Sequence, residues 1–213
     1  GITVPALGTT AVPLEMATCR ERSVFTAGPE IVSTPHAYLR LDERGRIVSF
    51  KDKASGRELV GSCGRFNSFT IGEDVPRHWD NWNIDDHRLR NREIVAEGPL
   101  QLRIRSEYAL GTTSSILQDM VFHADSPRVD FETVVDWREK HKLLKTAFDL
   151  NVFATSARHE VQFGFFDRPT HANLPHDRAR FEVCNHKWTD LSEGDFGVAI
   201  LNDCKYGISV AGS

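Results

Sequence analysis

Leu100-Gln-Leu-Arg-Ile-Arg-Ser-Glu-Tyr108 is the stretch that decides the fold. Leu100, Leu102, Ile104 and Tyr108 fall on one side of an extended chain, and Gln101, Arg103, Arg105 and Glu107 on the other. Alternation with one apolar side belongs to an antiparallel sheet that covers one face and wets the other. The same period recurs in both directions. Val129, Phe131, Val135 and Trp137 alternate with Asp130, Glu132 and Asp136; Leu144, Phe148, Leu150 and Val152 alternate with Lys145, Asp149 and Asn151. Val161, Phe163 and Phe165 against Glu160 and Gln162 read as one further strand. Asp42-Glu-Arg-Gly45 reads as the turn of a hairpin from Tyr38–Leu41 to Ile47–Phe50, and Asp125-Ser-Pro127 breaks Ile116–Phe122 from Val129–Trp137. The pattern predicts an all-β protein, an antiparallel β-sandwich of roughly ten or more strands, with helix confined to short turns.

Residues 1–25, which include Val4-Pro-Ala-Leu-Gly8 and lack alternation, read as a linker or strand arriving from a preceding domain. Residues 26–213 read as the sandwich domain, cut at its C-terminus directly after the strand-like Tyr206-Gly-Ile-Ser-Val210. The 213 residues are enough to bury a core without metal or disulfide. Cys19, Cys63, Cys184 and Cys204 have no zinc-knuckle or redox spacing and read as reduced thiols of a cytoplasmic protein. A net charge of −4 without a basic run points away from nucleic acid and from a membrane surface, and no apolar run approaches the ~20 residues of a span. Small neutral or weakly polar partners fit this balance better.

Two long segments break the strand pattern, Gly72–Asp86 and Asp167–Asp177, and long irregular loops in compact domains often carry function. Within the first, Glu73-Asp-Val-Pro-Arg-His-Trp-Asp-Asn-Trp-Asn-Ile-Asp85 resembles a recurring stretch, E-D-x-P-x-x-W-D-A-W-D-I-D, of the bacterial and cytosolic branch of the glycoside hydrolase family 38 α-mannosidases. Asp42–Ser49, Ser126–Thr133, Val135–Lys145, Arg168–His171, Asp177–Val183 and Leu201–Gly207 match the family in the same order. The resemblance implies a retaining exo-α-mannosidase whose zinc ion and aspartate nucleophile sit in an N-terminal α/β domain, followed by a helical bundle and β-sandwich domains. It also implies a supersandwich of galactose-mutarotase type. The family's zinc motif and the surroundings of its nucleophile have no match here, so the expectation is no catalytic residue and no metal in this chain. Zinc is expected in the catalytic domain of the same polypeptide.

Trp79 and Trp82, flanked by Asp80 and Asp85, combine flat apolar faces with hydroxyl-binding groups, the mixture that sugar recognition uses. The rival reading has one tryptophan in the core and the other against the neighbouring domain, with the carboxylates capping turns or holding Arg77, Arg88 or Arg90. Asn202, Asp203 and Tyr206 end a strand in a polar turn and complete the candidate substrate-binding set. His78-Trp-Asp80 has the spacing of a zinc motif but lies inside the tryptophan loop, and His171 with His176 lack a third ligand, so both read as ordinary loop histidines. Trp137 reads as core.

Three functions compete. The first is a non-catalytic sandwich domain of an α-mannosidase that completes the substrate cleft and stabilises the enzyme, its partners an α-mannoside or oligosaccharide and the catalytic domain, with assembly into homo-oligomers left open. The second is a free-standing carbohydrate-binding module. The third, a mutarotase-type enzyme, would need an acid/base pair such as His159 and Glu160, but adjacent strand residues face opposite ways.

Overall fold

The computed structural model describes residues 5–11, 22–74 and 87–211, and its chain divides into two compact units, Gly1–Leu150 and Asn151–Ser213. The first unit holds ten strands among the described residues: β1 (Thr26–Ala27), β2 (Ile31–Ser33), β3 (Ala37–Leu41), β4 (Ile47–Asp52), β5 (Phe66–Glu73), β6 (His87–Glu97), β7 (Gln101–Leu110), β8 (Ser114–His123), β9 (Val129–Asp136) and β10 (Lys142–Phe148). They form two antiparallel sheets, ordered β1-β2-β3-β4-β5-β10 and β6-β7-β8-β9. The second unit holds β11 (Ser156–Val161), β12 (Gly164–Pro169), the short helix α1 (Pro175–Ala179), β13 (Val183–Cys184), β14 (Trp188–Glu193), β15 (Phe196–Leu201) and β16 (Gly207–Ile208). Its strands pair as β12-β11-β14-β15 and β13-β16, again antiparallel. The all-β sandwich stands. No helix among the described residues is long and apolar enough to cross a membrane.

The alternation of the deciding stretch is the alternation of burial. Along β7, Leu102, Ile104, Ser106, Tyr108 and Leu110 are buried, and opposite them on β8 lie buried Ile116, Gln118, Met120 and Phe122. From the facing sheet come Leu39, Leu41, Ile47, Phe66, Phe69 and Ile71. Phe69 meets Tyr108 edge-on at 5.2 Å, and Phe131 meets Phe148 at 5.7 Å, so aromatic contacts bridge the two sheets. Each such side chain taken out of water contributes about 1.5–3 kcal/mol. Trp137 packs against the Phe69–Tyr108 cluster, as its place in the pattern predicts.

One polar pair crosses the same core. Asn67 and Gln118 exchange amide hydrogen bonds, Asn67 Nδ2 donating to Gln118 Oε1 at 2.6 Å and Gln118 Nε2 to Asn67 Oδ1 at 3.2 Å. The register of β5 against β10 slips here, and Asn67 takes up the slip with a left-handed φ of 58°, which asparagine tolerates better than most residues. On the opposite, wet face of the second sheet, Asp119 accepts from Arg105 Nε at 2.8 Å and from Arg103 Nη1 at 3.0 Å, and these contacts, Arg105 first, hold its carboxyl below the usual carboxylate range.

The hairpin read at Asp42–Gly45 joins β3 to β4; Asp42 Oδ1 accepts the N–H groups of Arg44 and Arg46, and Gly45 supplies the required φ of 79°. Three strand expectations need correction. Leu100 is exposed, because Gly98-Pro-Leu100 turns β6 into β7 and the strand starts one residue later. The strand around Leu144–Val152 ends at Phe148; Leu150 closes the first unit and Val152 lies in the second. Glu160–Phe165 is a hairpin, β11 into β12, rather than one strand: Val161 pairs with Gly164 and Phe163 stands in the turn at a φ of 63°. Its covered face is carried by Ala157 and His159, while Phe163, Phe165 and Phe166 are exposed.

Candidate functional site

Four of the seven sequence-predicted substrate-binding residues, Trp79, Asp80, Trp82 and Asp85, fall in residues 75–86, outside the described residues, as does His78. The two ends of their loop are described. At one end β5 finishes with Glu73, whose carboxylate lies 3.7 Å from Lys142 Nζ, and the Asp74 N–H donates to the His141 carbonyl at 2.9 Å. At the other, His87 opens β6 from inside the core, its ring edge-on to Phe69 at 5.9 Å and against Tyr108 at 6.0 Å. The β6 end of the loop thus meets the central aromatic cluster of the first unit.

Beside that end is a polar cleft of about 350 Å³, lined by His87, Arg88 and Arg90 of β6 and by Ala109, Gly111, Thr112 and Ser114 where β7 turns into β8. A single carboxylate shapes the turn. Glu139 Oε1 accepts the N–H groups of Thr113 (3.1 Å) and Thr112 (3.2 Å) and the hydroxyls of Ser114 (3.2 Å) and Thr113 (3.3 Å). These contacts, the Thr113 N–H foremost, hold the Glu139 carboxyl below its ordinary range. Gly111 has a φ of 51°, and a Cβ there would stand 2.8 Å from Glu139 Oε1, so the turn takes glycine. The cleft carries the guanidinium groups of Arg88 and Arg90 and the hydroxyl of Thr112, and the Ser114 hydroxyl is turned to Glu139.

Asn202, Asp203 and Tyr206 lie in the second unit, in the turn after β15. Asn202 Oδ1 accepts the Lys205 N–H at 2.9 Å, so this amide oxygen already braces the turn. Asp203 stands beside Cys204 and, as the largest cause, raises its thiol pKa. Tyr206 is half exposed, its ring 5.4 Å from that of His186. The predicted set is therefore divided between the units. Sequence reasoning misses the cleft: it offers Arg88 and Arg90 only as partners for the loop carboxylates, and the Gly111–Ser114 side carries no signal until the hairpin brings it round.

In the second unit, His171 and His176 both stand near Asp177, at 3.8 and 3.3 Å, and the Asp177 carboxylate accepts the Leu174 N–H at the start of α1. No group of three or more His, Cys, Asp or Glu that could hold a metal occurs among the described residues. Cys63, Cys184 and Cys204 are free thiols. A cavity of about 30 Å³ lies against His159, Arg168, Asp177 and Arg180, about the volume of one water and too small for a sugar ring.

His159 is buried, with Nδ1 3.0 Å from Thr189 Oγ1, while the Glu160 carboxylate turns away to accept the Lys187 N–H at 2.7 Å. Burial, reinforced by the positive charge of Arg168, lowers the His159 pKa from 6.5 to about 4. The folded state therefore prefers neutral imidazole, and stability from this site is complete above pH 6.5 and drains away as pH falls toward 4. The loss approaches ~1.4 kcal/mol per pH unit inside that window. Thermal unfolding followed between pH 7.5 and 4.5 should show that slope in the wild-type chain and a flatter one in His159→Gln; equal slopes would contradict it.

Comparison with known proteins places this geometry. Residues 32–213 match the family model described as "Glycosyl hydrolases family 38 C-terminal domain", and the chain belongs to that family. Among individual relatives, human "Alpha-mannosidase 2C1" is 38% identical over 229 residues, spanning 100% of this chain and 22% of that protein. "Alpha-mannosidase G" of Dictyostelium discoideum is 41% identical over 201 residues, spanning 87% of this chain and 18% of its own length. The chain thus spans about a fifth of the length of the curated relatives it matches. A crystal structure of an alpha-mannosidase from Enterococcus faecalis V583 shares the fold, with a TM-score of 0.75 at 10% identity over 90% of this chain and 25% of that one.

Proposed function

We propose that this chain is the non-catalytic β-sandwich part of a retaining α-mannosidase acting on terminal α-mannosides, and that it stabilises the enzyme and completes its substrate cleft through the loop rooted between β5 and β6. The observation that carries the reading is where the two described ends of that loop lie. Its tryptophan-, aspartate- and asparagine-rich sequence runs between Asp74, just after β5, and His87, which opens β6 in contact with Phe69 and Tyr108 and lines a polar cleft. Aromatic rings for C–H faces and amides and carboxylates for hydroxyls are what sugar binding requires. Trp79, Asp80, Trp82 and Asp85 take that role, and Asn202, Asp203 and Tyr206 form a second polar surface offered to the glycan. Zinc and the two carboxylates of the retaining reaction belong to the catalytic domain of the parent polypeptide, where the metal would hold sugar hydroxyls. On this reading binding and orientation are the share of this chain. Its compartment is the cytoplasm, in line with free thiols at Cys63, Cys184 and Cys204.

The isolated 213-residue chain should therefore show no turnover of an aryl α-mannoside and no stoichiometric zinc after purification. Turnover that survives purification and disappears when a residue of this chain is changed would overturn the assignment.

A further inference from the structure

Strand β6 carries arginines at positions 88, 90 and 92, and the ladder to β7 treats them differently. Arg88 stands opposite Ala109 and Asn91 opposite Glu107, but the register slips between Leu89 and Asn91, so Arg90 is the extra residue of a β-bulge. A bulge bends its strand and re-aims a side chain, a device frequent beside binding sites. Here both Arg88 and Arg90 line the same cleft. Arg92 is engaged elsewhere, donating to the carbonyls of Pro29 and Asp42. Arg88 and Arg90 are exposed and have no hydrogen bond or ion pair among the described residues. None of the described residues lining the cleft is acidic; Glu139, at its turn, keeps its charge but accepts through Oε1 from Thr112, Thr113 and Ser114. Two guanidinium forks without a partner among the described residues, with the hydroxyl-bearing Thr112 across a space of about 350 Å³, make a concave, positively charged site.

From this we infer that the cleft binds a phosphate group, held by Arg88 and Arg90, with room beside it for the sugar that carries it. Guanidinium is the side chain whose planar donor fork matches phosphate oxygens two at a time, and two of them balance the two charges of a phosphate monoester. A cleft of this volume falls at the lower end of small-ligand sites, the size class of a single phosphorylated hexose. The inference rests on the proposed function only for the sugar; the phosphate stands on β6 itself.

The test is an amide-shift titration of the 213-residue chain at constant ionic strength, with a hexose 6-phosphate, inorganic phosphate and the unphosphorylated hexose as separate probes. The hexose phosphate should bind saturably, move the Gly111 and Thr112 amides, and bind at least about tenfold more tightly than the plain hexose. The double variant Arg88→Gln/Arg90→Gln should lose about tenfold or more of that affinity while unfolding at the wild-type temperature, since both side chains are exposed. Equal binding of inorganic phosphate would support the site with free phosphate as its source. No saturable binding of either phosphate, or identical binding by the double variant, would overturn the inference. Loss of mannosidase activity on changing the tryptophan loop, without phosphate binding here, would end this inference and leave the proposed function standing.

Discussion

Tyr108→Ala should lower the unfolding free energy of the first unit by about 3–5 kcal/mol, the range for removing a large buried aromatic ring. Tyr108 is 1% exposed and touches Phe69 of the facing sheet and His87 at the root of the tryptophan loop, so one ring joins both sheets and the loop's anchor. Leu110, Ile116, Ile71 and the partly buried Trp137 belong to the same cluster and cannot close over the space without moving their strands. At roughly 2–4 °C per kcal/mol for a unit of this size, the melting temperature should fall by about 6–20 °C. Tyr108→Phe keeps the ring and should cost much less, about 1 kcal/mol or below. Chemical denaturation of the two variants side by side checks the claim. A loss below about 1 kcal/mol for Tyr108→Ala would mean that the two sheets are not held through this cluster.

How much of this was legible in the sequence depends on where the signal is local. The face carrying Leu102, Ile104 and Tyr108 is written residue by residue, and the turns at Asp42–Gly45 and Asp125–Pro127 are written in residues that favour them, so the strands around them follow directly. The Val161–Phe165 segment misleads for the same reason. Its phenylalanines satisfy a period-two count, yet they lie exposed on a hairpin whose covered residues are Ala157 and His159, neither of which announces a core face. Asn67 is a polar residue on an inward face, made acceptable only by a bulge and by Gln118 from a strand far along the chain. The cleft beside the loop joins β6 to a turn more than twenty residues later, a proximity that depends on hairpin register. Composition marks the tryptophan loop as unusual.

Trp82→Ala and Asp85→Ala, made separately in the full-length parent enzyme, should each reduce kcat/KM for an α-mannoside by about tenfold or more with the fold retained. A stacked ring or a carboxylate that takes a sugar hydroxyl acts on the bound substrate as it approaches the transition state, and each ~1.4 kcal/mol of binding lost there is one decade. The loop ends at His87, which packs on Phe69 and Tyr108, and neither substitution changes a residue of that cluster; the fold is followed separately by its melting temperature. The alternative role, packing against the catalytic domain, has the opposite signature. The decisive measurement is therefore kcat/KM and thermal stability of the same two purified variants. The proposed role requires kcat/KM to fall about tenfold or more at nearly unchanged melting temperature. A lowered melting temperature with kcat/KM of the surviving enzyme unchanged would contradict it.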